Sequence, residues 1–62
     1  MLYFYYGEVY NKGSLVSKHS NSFLSAFRIE KSEDVDDIVK KLTDVYCKNK
    51  GESFILINLN KI

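Results

Sequence analysis

Proline and tryptophan are absent from this chain, cysteine and histidine occur once each, and neither sign of charge dominates. Each lack removes a class of explanation. The single cysteine, Cys47, forbids an intrachain disulfide, and with only His19 beside it no cysteine–histidine cluster has the spacing of a zinc site. A protein that does not depend on disulfides suits a reducing compartment. The net charge of +1 supplies no field that would gather nucleic acid or an anionic membrane. No apolar run approaches the ~20 residues of a membrane helix. The apolar start, Met1 to Tyr6, has no basic flank before it and no small-residue cleavage site after it, so a cytoplasmic protein without a secretory leader is expected. Gly7, Gly13 and Gly51 stand alone, which excludes a glycine-rich phosphate loop. No cofactor and no metal are expected.

What is present is short and aromatic. The 62 residues hold five tyrosines and four phenylalanines. That length allows one small domain, residues 1–62, and a chain of this size buries only about 60% of its unfolded surface. Small domains are usually secured by disulfides, a metal or oligomerisation. With the first two missing, self-association is the expectation. Eight lysines to one arginine, with abundant asparagine, isoleucine and tyrosine, suit AT-rich coding DNA and hint at a low-GC bacterium or a mobile element such as a phage.

Along the chain, Leu2 to Tyr10 is rich in residues that fit a pleated surface and reads as a strand. Asn11 to Gly13 reads as a turn, with Gly13 at the left-handed position of a type I turn. Ser14 to Ser22 is polar and serine-rich around Leu15 and Val16, and reads either as the returning strand or as a long hairpin loop. Phe23 to Glu30 alternates, with Phe23, Phe27 and Ile29 on one face, and is predicted as the second strand.

The helix is the clearest element. Val35, Ile38, Val39, Leu42, Val45 and Tyr46 recur at the spacing of one helical face. Ser32 is placed to cap it, Glu33 and Asp34 suit the positive end of its dipole, and Gly51 is expected at the left-handed position after its end. Asp36–Lys40, Asp37–Lys41 and Asp44–Lys48 have the spacing of helical ion pairs. Ser53 to Asn60 is the last strand, with Ile55, Ile57 and Leu59 on one face and Phe54, Leu56, Asn58 and Asn60 on the other.

The order β-β-α-β predicts an α+β domain of two layers, one helix on one face of a three-stranded sheet. An all-antiparallel sheet of order 2-1-3 places the uncharged Leu2–Tyr6 in the centre and is preferred. Order 1-2-3, with a right-handed parallel crossover, is the alternative.

One helix can cover only one sheet face. The first strand carries large residues on both, Leu2, Phe4 and Tyr6 against Tyr3, Tyr5 and Val9, so a contiguous apolar patch is expected on the other. Tyrosine suits a contact surface, since it offers an apolar body and a hydroxyl that tolerates water. Tyr3, Tyr5, Phe54 and Leu56 are the candidate interaction residues, with a second copy of the chain as first partner and a larger host protein as another.

Catalytic candidates are few. His19 lies among serines with no acid nearby in sequence, and catalysis needs an orienting acid and a nucleophile within reach. Cys47 has no neighbour that would lower its pKa and reads as a packing residue. The helix acids are better matched to their lysines than to a cation. The reading is therefore a non-catalytic interaction protein. The alternative is single-strand nucleic-acid binding, with Tyr3, Tyr5, Phe23 and Phe27 as a stacking platform and Lys12, Lys18, His19 and Arg28 on phosphates. The near-neutral charge argues against it.

Overall fold

A computed structural model describes residues 1–62. Strand β1 (Leu2–Asn11) and strand β2 (Ser14–Leu24) form a hairpin, helix α1 (Ser32–Tyr46) follows, and strand β3 (Glu52–Lys61) ends the fold. The sheet has order β2-β1-β3 and both pairings are antiparallel, as the sequence predicts for the preferred arrangement. No helix is long and apolar enough to cross a membrane.

The hairpin is tighter than expected. Asn11 pairs with Ser14, and Lys12 and Gly13 both take positive φ, 51° and 81°. Two central residues at positive φ make the primed two-residue turn whose twist matches the strands, in place of the type I turn expected from Gly13 alone.

Strand β2 also differs from its predicted bounds. The serine-rich stretch from Ser14 is strand, and the chain leaves the sheet after Leu24. β1 supplies the backbone partners, so the polar side chains of an edge strand need no intrinsic strand preference of their own. The strand ends at a local side-chain turn. The Ser25 hydroxyl donates to the Phe27 carbonyl at 2.6 Å and accepts from the Phe27 N–H at 3.2 Å. Tyr3 Oη then accepts the Ile29 N–H at 2.8 Å, which fixes the connection as it rises toward the helix. Phe23–Glu30 is therefore mostly a connection.

The helix begins one residue from its expected start. Lys31 is the capping position, and Asp34 Oδ2 reaches back to accept the N–H groups of Lys31 and Glu30 at 3.1 and 3.3 Å. The carboxylate supplies the reciprocal bond of a capping box, from the third helical residue back to the cap, with a charge that also suits the dipole. At the far end Cys47 caps the helix through its N–H to the Thr43 carbonyl. Gly51 has the positive φ expected, 88°, but uses it in the turn that enters β3. The three helical acid–lysine pairs do not form, and the one ion pair of the structure joins Arg28 to Glu30 at 3.7 Å. Long exposed side chains gain little from pairing beyond what water offers.

Two bulges break the alternation. Val16 is the extra residue of β2, opposite the step from Val9 to Tyr10. Ile57 is the extra residue of β3, opposite the step from Tyr6 to Gly7. The second changes which residues share a face, because one extra residue reverses the order of facing beyond it. Phe54, Leu56 and Leu59 lie opposite Val9, Gly7 and Tyr5 on one face, while Ile55, Asn58 and Asn60 lie opposite Glu8, Tyr6 and Phe4 on the other.

Candidate functional site

The helix lies over the face of Tyr3, Tyr5, Gly7 and Val9, and the hydrophobic residues buried there are Tyr3, Tyr5, Val9 and Phe54. Tyr3, Tyr5 and Phe54 are core residues facing the chain's own helix, so while it is docked they present nothing to a partner, and Leu56 is half-buried on the same face. Burial of Tyr3 and Tyr5 likewise removes two members of the expected base-stacking platform, and Phe23 stacks on Tyr3 with ring centroids 5.7 Å apart.

That core is an aromatic chain. Tyr46, the last residue of α1, lies between His19 of β2 and Phe54 of β3, with centroids 3.9 and 5.8 Å away and near-parallel rings. Its hydroxyl meets that of Tyr5 at 2.5 Å. Burial first, then this bond, pushes the Tyr5 phenol up to about 12. His19 is half-buried, and its Nε2 pairs with the Ser17 hydroxyl at 2.8 Å. A histidine–serine pair with no carboxylate on the other ring nitrogen lacks the group that orients a catalytic imidazole. Cys47 is half-buried, and burial, then the Glu52 carboxylate, raise its thiol pKa, which disfavours the nucleophilic thiolate. No group of three or more His, Cys, Asp or Glu side chains converges.

Two surfaces remain open. The first is the sheet face opposite the helix. Phe4, Tyr6, Glu8 and Tyr10 form its central stripe and are half-buried only by one another and by the flanking strands. Glu8 Oε2 accepts the Tyr6 hydroxyl and Oε1 the Tyr10 hydroxyl, each at 2.8 Å. The bonds from Tyr10 and Tyr6, helped by the charge of Lys18, hold the Glu8 carboxyl below its ordinary range, and the same bonds raise both phenols. Ile55 and Leu15 extend the stripe at one end, whereas Asn58, Asn60, Ser20 and Ser22 border it with polar groups. The stripe is thus an aromatic strip with one fixed charge and a polar margin.

The second open surface is on the helix side. α1 packs closest to β3, which leaves a cleft of about 620 Å³ between α1 and β2. Phe23, Phe27, Ile38, Leu42, Val45 and Tyr46 line it, and Lys41 is its one charged side chain. Phe27 and Val45 stay 79% and 53% exposed, although Val45 belongs to the apolar helix face. No residue of the helix is fully buried.

Sequence reasoning missed the stripe, and a signal for it exists. The two faces of β1 are equally bulky at Leu2–Tyr6, but one continues through Gly7 and Val9 while the other carries Glu8. An unpaired charge is costly under a helix, so the face with Glu8 is the one to leave open. Comparison with known proteins finds no matching family model, no matching curated protein and no matching solved structure.

Proposed function

We propose that this protein is a small non-catalytic interaction module, homodimeric, that engages a larger protein through its uncovered sheet face. The observation that carries the reading is the stripe of Phe4, Tyr6, Glu8 and Tyr10, over which no element of the chain lies. Aromatic residues framed by polar ones resemble the centre and rim of a protein contact. Tyr6 and Tyr10 hold Glu8 in place before a partner arrives, so little side-chain freedom is lost on binding. The carboxylate at the centre favours a basic or hydrogen-bond-donating group on the partner and repels phosphate, which sets a protein target above a nucleic acid.

The lysine- and asparagine-rich composition supports an accessory protein of a phage or mobile element acting in the cytoplasm, with a host protein as its target. The test is affinity capture with wild-type protein beside a Tyr6→Ser/Tyr10→Ser variant shown by circular dichroism to be folded. A binding protein retained by the wild type and released by the variant is the expected result. Equal retention by both, or retention of single-stranded nucleic acid at low salt, contradicts the reading.

A further inference from the structure

The outer edge of β2 is the less protected of the two sheet edges. Natural sheets guard their edges with charges, proline, bulges or short strands. β3 is interrupted in its middle by the Ile57 bulge and carries Glu52 and Lys61 at its ends. β2 pairs with β1 without irregularity from Ser17 to Leu24, and Lys18 is the one charged residue in that run. The apolar cleft opens beside this same stretch, with Phe27 and Val45 at its margin, 79% and 53% exposed.

The surface area leaves room for a partner. A compact monomer of 7.2 kDa should expose roughly 4100 Å². The chain exposes 4570 Å². An ordinary interface covers ~800 Å² on each partner. An edge strand together with the open cleft beside it offers a surface of that kind.

We propose that a second copy of the chain occupies this edge, β2 pairing antiparallel with β2 of the partner across a two-fold axis perpendicular to the sheet. This rests on the homodimer reading above and supplies its interface. The result is a six-stranded sheet of order β3-β1-β2-β2-β1-β3. Such an axis keeps both helices on one face, one on each side of the junction. The two clefts then merge into a single trough, closed by Phe27 and Val45 of both copies. Ser20 and Ser22, on the opposite face, are small enough to let the edges meet, and Asn21, whose Oδ1 accepts the Ser22 N–H at 2.8 Å, exchanges that bond for the partner's backbone. The opposite face becomes one continuous surface that carries two Tyr6–Glu8–Tyr10 stripes, so a target is gripped twice.

The test combines mass with amide hydrogen exchange on the full chain. In a wild-type dimer, alternate β2 amides between Ser17 and Leu24 that have no partner within the chain should be protected. Phe27→Asp/Val45→Asp should become monomeric and lose that protection while keeping its circular dichroism. Ile55→Asp, on the other sheet face, should stay dimeric. A wild-type dimer with unprotected outward amides overturns this interface and leaves the homodimer reading standing. So does a dimer that survives Phe27→Asp/Val45→Asp but dissociates on Ile55→Asp. A folded wild-type monomer overturns both.

Discussion

The Phe54 ring of β3 lies against the backbone of Gly7 in β1. A Cβ at Gly7 would overlap Phe54 Cζ and stand 2.9 Å from the Ile55 carbonyl oxygen. The absence of a side chain in the middle of the central strand lets an aromatic ring fill the space and pass its stacking on to Tyr46. Gly7→Ala is therefore expected to destabilise the fold by about 1–3 kcal/mol, the usual cost of overpacking a core. Urea unfolding measures it. Phe54→Leu in the same background should recover part of the loss, since it removes the atoms that collide.

The Tyr5–Tyr46 contact joins the central strand to the end of the helix. Tyr5→Phe should cost about 0.5–1.5 kcal/mol, as for the loss of one hydrogen bond. A double-mutant cycle with Tyr46→Phe should show that the two losses are not additive.

Alkaline stability follows from the same phenol. The folded value of about 12 lies above the ordinary value of 10.0, so the stabilising form is the protonated one. Its contribution is whole below pH 10 and is lost as pH rises toward 12, because the unfolded chain releases its proton first. Unfolding curves across that window should be steeper in pH for the wild type than for Tyr5→Phe.

At acid pH two carboxylates act in the opposite sense. Glu8 is held low by Tyr10 and Tyr6, and Glu52 by the N–H groups of Asn49 and Lys48 and the Asn49 side chain. A depressed folded pKa gives stability that is present above the unfolded value and lost as pH falls through the folded one. Glu8→Gln and Glu52→Gln should each flatten the fall in stability below the ordinary carboxylate range, measured by thermal unfolding from pH 6 down to about pH 2.

Asp34 ties the backbone before the helix to its first turn, a bond that Ser32 does not make, so Asp34→Ala should cost about 1 kcal/mol and Ser32→Ala much less. Equal effects from the two substitutions would return the cap to Ser32.

Much of this fold can be read from local chemistry. The helix is legible because its apolar spacing agrees with the acids of its first turn, and the uncharged first strand points to the centre of an antiparallel sheet. The β2 boundary is not legible, because Ser14–Ser22 is ordered by β1 and Phe23–Glu30 is turned out of the sheet by one serine hydroxyl. Nor is the facing of β3 beyond Ile57, since a bulge has no side-chain signature and reverses the alternation that sequence reading relies on. Tyr3 and Tyr5 look like a contact surface for the same reason that they make a core: large rings fill space from either side. Only Gly7, Val9 and Glu8 distinguish the two faces.

The claim on which the account depends is that a second copy completes this small, half-covered domain. Sedimentation equilibrium across the micromolar range tests it most directly. The expected result is a folded species of twice the 7.2 kDa chain mass, dissociating on dilution. A single well-folded species of 7.2 kDa at high micromolar concentration would contradict it.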